Sequence, residues 1–156
     1  MTAAVLVWLL QDLLQVLAMG IMLVPEFFLL MLAYGVVSGS LRQERVCAWI
    51  WFAYAGGLLW DLRWASSPGM SSLINVAAVI AMYAVWNRTP VAGRGVFLFA
   101  AAAGVMHAFS GIAHYFAWAT PSHAAVRMFL IQQLLSVPVL ALLCVIYAFR
   151  KTDVHV

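Results

Sequence analysis

The chain has 156 residues, of which 67% are hydrophobic and 8% are charged, and its net charge is +3. A soluble domain carries about 25% charged residues, so this composition excludes a soluble globular protein and indicates an integral membrane protein. Because a spanning helix takes about 20 mostly apolar residues, the length allows about six spans and almost no soluble domain. We therefore predict an all-α membrane protein with one compact transmembrane domain over residues 1–156.

Apolar runs between charged residues and Pro or Gly breaks predict six transmembrane helices in one bundle. The predicted helices lie near residues 3–22, 25–38, 47–62, 70–86, 96–118 and 128–149. The first is expected to be a retained helix and not a signal peptide, because no Lys or Arg precedes it and polar residues interrupt its apolar core. The second and third are close to the lower length limit for crossing the hydrocarbon, so they can extend into the flanking polar sequence.

The first helix has a polar edge formed by Gln11, Asp12 and Gln15. Asp12 lies near the middle of the helix, where an ionised carboxylate facing lipid costs about 2.5 kcal/mol or more, so it is expected to face protein. At helical spacing this edge can meet Gln132 or Gln133 on the last helix. We predict an internal hydrogen-bond network. The alternatives are a contact with another subunit of a homo-oligomer and a proton or ligand path.

The connection to the second helix is a tight turn that contains Pro25 and Glu26. Proline fits the first position of a helix, where its missing N–H costs little. Glu26 would then lie in the first turn, where the helix dipole favours a carboxylate. The sequence thus predicts that the second helix begins at Pro25.

Two charged residues lie between tryptophans at the end of the third helix, in the sequence WDLRW. Trp60 and Trp64 are four residues apart, so they share a helix face at a depth where indoles anchor a protein in the interface. Asp61 and Arg63 can reach lipid headgroups, water or each other. One interpretation is an interfacial anchor. The other is that Asp61 accepts hydrogen bonds that fix the outer loop or a partner's helix.

The fifth helix carries His107 and His114 seven residues apart, with Gly104 and Gly111 close to the same stripe. Seven residues separate the histidines by about 10 Å, which is too far for one metal ion. No nearby Cys, Asp or Glu completes a ligand set. We predict close helix packing with histidine hydrogen bonds, and no metal site.

Catalytic signatures are lacking in the sequence. Ser110 lies between the two histidines without an acid partner, and there is no G-x-S-x-G, H-E-x-x-H or phosphate-binding glycine loop. Cys47 and Cys144 have neither metal-type nor redox-type spacing, which indicates packing residues. We therefore expect no catalytic residues, no cofactor and no enzymatic activity.

The positions of the basic residues predict the orientation, because Lys and Arg accumulate in cytoplasmic loops. If the N-terminus is cytoplasmic, six of the eight basic residues are cytoplasmic and two are outside. The six are Arg42, Arg45, Arg88, Arg94, Arg150 and Lys151, and the two are Arg63 and Arg127. Both termini are thus expected inside the cell. The same residues form no stripe suited to nucleic acid, so the lipid bilayer is the expected surrounding and no nucleic-acid partner is expected.

The order of features from the second to the fourth helix resembles the MreD family of bacterial rod-shape proteins. Pro25 opens the second helix, a basic loop follows, AGGLLWD resembles the family's glycine-rich third helix ending in Asp, and SSPGM resembles its turn before the fourth helix. The positions that match are Gly56, Gly57, Asp61, Pro68 and Gly69. Around them, Trp60, Arg63 and Trp64 are candidate partner contacts, and Asp12, Gln15, His107 and His114 are candidates for a buried polar network.

The resemblance implies a non-enzymatic scaffold of the cell-elongation machinery in the bacterial plasma membrane. Such a scaffold binds the single-span protein MreC and through it MreB, RodA and a class B penicillin-binding protein, and so supports peptidoglycan synthesis. A chain with little mass outside the membrane can recognise partners through helix faces and short loops. We expect the outer end of the third helix, around Asp61, to belong to that contact surface.

Two other functions remain open from the sequence. The six-helix fold of the family is similar to that of the S components of energy-coupling factor transporters, so Trp60, Asp61, Arg63 and Trp64 could line a small-molecule pocket. In that alternative the chain is the substrate-binding membrane subunit of a transporter. The third possibility is an intramembrane enzyme or proton-coupled carrier that uses Asp12, and it requires a polar cavity joining this residue to the two histidines.

Overall fold

A computed structural model describes residues 1–18, 24–38, 43–64, 68–118 and 123–153 of the chain. Every regular element within these ranges is helical. The six α-helices are α1 (Thr2–Leu17), α2 (Phe27–Ser38), α3 (Gln43–Trp64), α4 (Met70–Arg88), α5 (Val96–Trp118) and α6 (His123–Asp153). A short 3-10 turn, Val91–Gly93, connects α4 to α5. The all-helical class predicted from the apolar runs is confirmed.

Three of these helices are long and apolar enough to cross a membrane within the described residues. They are Met70–Arg88, Val96–Phe116 and Ala125–Arg150. Thr2–Leu17 and Phe27–Ser38 are apolar but shorter. At 1.5 Å per residue, the 12 residues of α2 span about 18 Å, which is less than the roughly 30 Å of hydrocarbon.

The central element of the bundle is α2. It packs against α1, α3, α4, α5 and α6, and nine of its twelve residues are buried. Aromatic contacts continue this core, with Tyr34 meeting the ring of Phe99 edge-on and Phe99 stacked on Tyr147. The other helices thus surround α2, which places its first residues inside the protein and not at a surface.

The start of α2 differs from the prediction. The helix begins at Phe27, and Glu26 precedes it with its carbonyl accepting the first helical hydrogen bond from Leu30. Gln11 of α1 caps the new helix by accepting from the backbone N–H of Phe28 at 2.8 Å. Because a neighbouring side chain satisfies this buried donor of the first turn, Pro25 is not needed at the first helical position. The first helix, predicted to reach residue 22, ends at Leu17, and residues 19–23 lie outside the described ranges.

The closest packing of two helices is between α3 and α4. A Cβ atom built on Gly57 would lie 2.5 Å from both Cα and N of Ser72, so only glycine allows the two backbones to approach this far. The neighbouring Gly56 faces the ring of Phe28 in a similar way. The tight α3–α4 contact therefore depends on Gly57, while Gly56 leaves room for the ring of Phe28 on α2.

Candidate functional site

Polar side chains from five helices meet at one end of the bundle. They come from the second half of α1, the last turns of α3 and α5, and the first turns of α4 and α6, and they surround the residues that precede α2. Consecutive helices therefore run in opposite directions. In the sequence-predicted orientation this is the outer end of the protein.

Glu26 is the centre of the polar cluster. Its carboxylate accepts a short hydrogen bond from Ser110 and contacts Nδ1 of His114. Only 9% of Glu26 is exposed and Ser110 is fully buried. On the other side of the ring, Nε2 of His114 lies 3.2 Å from the hydroxyl of Ser71 on α4. One carboxylate thus connects the residues before α2 with α5 and, through His114, with α4.

His107 also contacts Glu26, but through the backbone N–H of Glu26 and not through its carboxylate. Its Nε2 accepts from the N–H of Glu26 at 3.4 Å, and its Nδ1 lies 2.9 Å from Oε1 of Gln133 on α6. The ring of His107 therefore connects the residues before α2 to α6. Gly111 leaves the space for Gln133, because a Cβ there would lie 2.5 Å from its amide nitrogen. Both histidines are thus held by hydrogen bonds between helices. The part of the chain that the structure describes contains no group of three or more potential metal ligands.

The polar edge of α1 has other partners than those predicted. Asp12 accepts from the indole N–H of Trp64 at 2.8 Å and pairs with Arg63 at 3.1 Å. Gln15 accepts from the backbone N–H of Val24 at 3.3 Å. The glutamines expected to meet this edge bind elsewhere, and Gln132 donates to the carbonyl of Val24 at 3.2 Å. Val24, which precedes α2, therefore binds both Gln15 of α1 and Gln132 of α6 and connects the two helices.

Asp61 fixes the junction between α3 and α4. It is fully buried, and its Oδ2 accepts from the backbone N–H groups of Gly69 at 2.8 Å and Ser71 at 2.9 Å. Gly69 precedes α4 with φ of +100°, a conformation that glycine adopts at little cost. Pro68 lies just before it in the same turn. The carboxylate therefore serves as the N-terminal cap of α4, a role that α4 lacks from its own sequence.

The other residues at the end of α3 point in two directions. The rings of Trp60 and Trp64 lie 6.1 Å apart, and the guanidinium of Arg63 lies 5.4 Å from the centre of the Trp64 ring. More than half of the surface of Leu59 and Leu62 is exposed. The tryptophans thus face the interior of the polar end, while the two leucines form an outward apolar face.

A cavity of about 380 Å³ lies within this end of the bundle. We call it the end cavity. Its aromatic lining includes Trp8, Trp60, Trp64 and Tyr115, and its polar lining includes Gln11, Gln15, Glu26, Asn75, His114 and Gln132. Asp12 and His107 do not belong to its lining. The end cavity therefore does not join the three groups that a proton-coupled carrier would use.

Several residues of this site were not found from the sequence. Local rules place Glu26 at a helix terminus, and no local pattern singles out Ser71 or Asn75. Their partners lie far along the chain, since 84 residues separate Glu26 from Ser110. The signal that was available is the spacing of His107, Ser110 and His114, which places three polar groups on one face of α5 and requires a polar partner opposite.

The comparisons with known proteins found no matching family model, no similar curated protein and no similar solved structure.

Proposed function

We propose that the protein is a non-enzymatic membrane scaffold of bacterial cell elongation, similar in role to MreD. The observation that carries the proposal is the construction of the α3–α4 junction. The residues that resemble the family here are Gly56, Gly57, Asp61, Pro68 and Gly69. Gly57 allows the close contact with α4, Asp61 caps α4 through Gly69, and Gly56 lies against α2. Such contacts can present an adjoining helix face in a fixed position.

The proposed contact surface is the outward face at the end of α3. Leu59, Leu62 and Arg63 lie at the three- and four-residue spacing of one helix face, and 67% of Leu62 is exposed. The described polar groups nearby point inward, because Asp61 caps α4 and Asp12 binds Trp64. A single-span partner helix could pack on this apolar face and place an acidic or carbonyl group near Arg63.

In this proposal the chain crosses the bacterial plasma membrane six times with both termini in the cytoplasm. The partner that touches it is an MreC-like single-span protein. The connection to MreB, RodA and a class B penicillin-binding protein is indirect. Six of the eight basic residues then lie on the cytoplasmic side, which supports this orientation.

The first test is recovery of a partner with the tagged protein. The chain is expressed together with the MreC-like protein of the same genome and purified in a mild detergent. We expect the partner to be retained, and we expect Leu62→Ala to lower its recovery about fivefold, since a buried leucine in a contact is worth about 1 kcal/mol.

The matched control is Leu134→Ala on α6, which also shortens an exposed leucine, one that is 72% exposed. It is expected to leave recovery unchanged. Equal loss in both variants, or a protein that never retains the partner, would contradict the proposed contact surface.

The end cavity favours a second candidate, a substrate-binding membrane subunit similar to the S components of energy-coupling factor transporters. Its aromatic and amide lining is typical of small-molecule sites. In this candidate the two tryptophans of α3 are part of a binding site. Recovery of the tagged chain with a transmembrane coupling protein and an ATPase would favour it over the scaffold.

A further inference from the structure

The end cavity has the size of a ligand site. Its volume of about 380 Å³ falls within the roughly 300–1,000 Å³ that is usual for small-molecule pockets. Residues of all six helices line it. A site of this kind depends on the whole bundle and would form only in the folded protein.

One buried side chain in the end cavity has no hydrogen-bond partner. Asn75 is 7% exposed and lines the cavity, and no group among the described residues bonds to its carboxamide. Among the described residues, the fully buried side-chain polar atoms without a partner are Oδ1 of Asp61 and Nε2 of Gln133, so the amide atoms of Asn75 are instead open to the cavity. The carboxamide offers two donors and an acceptor to a molecule in the cavity.

Two further amide side chains in the lining each use only one of their two polar groups in a hydrogen bond within the protein. Gln11 uses its carbonyl oxygen on Phe28, and Gln132 uses its amino group on Val24. Within the described residues, the amino group of Gln11 and the carbonyl oxygen of Gln132 have no protein partner. The end cavity therefore offers both hydrogen-bond donors and acceptors.

The charged groups at the end cavity are already paired. In the lining, Glu26 contacts His114 and accepts from Ser110. Asp12, which lies outside the lining, is paired with Arg63. A charged ligand would lose its hydration without gaining an unpaired counter-charge, and this loss costs several kcal/mol. The cavity is thus suited to an uncharged molecule.

The aromatic walls are held in fixed orientations. The indole N–H of Trp8 donates to the carbonyl of Gly56 at 3.1 Å, and that of Trp64 donates to Asp12 at 2.8 Å. Their ring surfaces are therefore placed before any ligand arrives, which reduces the entropic cost of binding. Such surfaces favour a flat ring in the ligand.

We propose that the end cavity binds an uncharged, ring-containing small molecule with both hydrogen-bond donors and acceptors, and that Asn75 is a binding residue for it. The inference does not depend on the proposed scaffold function. A scaffold could use such a molecule as a structural or regulatory ligand, and a transport subunit would carry it as cargo.

The test uses three probes that share a pyridine ring and differ in charge: nicotinamide, which is neutral, 1-methylnicotinamide, which is cationic, and nicotinate, which is anionic. Each is titrated into the purified protein, and binding is followed by quenching of tryptophan fluorescence. We expect saturable quenching by nicotinamide, with a dissociation constant at least about tenfold lower than for either charged probe.

Asn75→Ala is expected to weaken nicotinamide binding about fivefold, the value of one net hydrogen bond. Asn87→Ala, the same change at an exposed position on α4, is the control and should have no effect. Because the three probes are compared on the unmodified protein, the result does not depend on how the variants fold.

Unsaturable quenching that is equal for the three probes would overturn the proposal. Tighter binding of either charged probe would overturn the preference for an uncharged ligand. An unchanged dissociation constant in Asn75→Ala would overturn the role of Asn75. Each of these results leaves the partner recovery experiment unaffected, so the two proposals fail separately.

Discussion

Replacing Glu26 by alanine is expected to lower the free energy of unfolding by about 3 kcal/mol. The substitution removes the acceptor of the buried Ser110 hydroxyl and the partner of His114. Breaking a buried pair by removing one member costs about 3–5 kcal/mol, because the remaining groups lose the carboxylate that they bind. We expect a loss at the low end of this range, because the side chain of His114 is 17% exposed and partly hydrated. Denaturant unfolding in detergent micelles, followed by tryptophan fluorescence, measures the change.

Two further variants make this result specific. Glu44→Ala removes an exposed glutamate from the first turn of α3 and is expected to change stability by less than about 0.5 kcal/mol. Glu26→Gln keeps an acceptor for Ser110 and is expected to fall between the other two. If Glu26→Ala and Glu44→Ala are equally stable, Glu26 does not organise the polar end.

The second large effect is expected from Gly57→Ala. The added methyl group would lie 2.5 Å from backbone atoms of Ser72, and backbone cannot move aside as a flexible side chain can. Forced overpacking of this kind costs about 1–3 kcal/mol. The expected loss appears as a lower midpoint of thermal unfolding in detergent.

Gly104→Ala provides the matched comparison for this experiment. A methyl group at Gly104 would meet only Cδ2 of Leu140 at 3.6 Å, an ordinary contact distance. Alanine is also the better helix former by about 1 kcal/mol, so this variant is expected to be as stable as the unmodified protein or slightly more so. A Gly57→Ala protein that unfolds at the same temperature as Gly104→Ala would refute the close α3–α4 contact.

The sequence was sufficient for the helical class and for most helix positions, because apolar runs broken by Pro, Gly and charge report them directly. Met70 and Val96 begin helices where the pattern places them. The predicted start of the second helix is wrong, because local rules favour a start at Pro25 and the helix begins at Phe27. Hydrogen bonds from Gln11 and His107, contributed by other helices, shift that start to Phe27.

The candidate site was predicted only in pieces. Helical spacing identified the polar edge of α1 and the histidine face of α5, but spacing within one helix says nothing about the helix opposite. Asp12 therefore received the wrong partners, and its contact with Trp64 joins residues 52 positions apart. Of the four residues that the transporter alternative places in a pocket, Trp60 and Trp64 line the end cavity, while Asp61 and Arg63 do not. The rest of its lining comes from all six helices at once, and no local pattern in the sequence indicates it.

The proposed role in cell elongation is tested most directly by depleting the protein from the bacterium that encodes it and measuring cell width. The account predicts that rods widen and become round, and that the unmodified gene restores their width. Cells that keep their rod shape and width after depletion, whether or not the uptake of a small molecule falls, would contradict it.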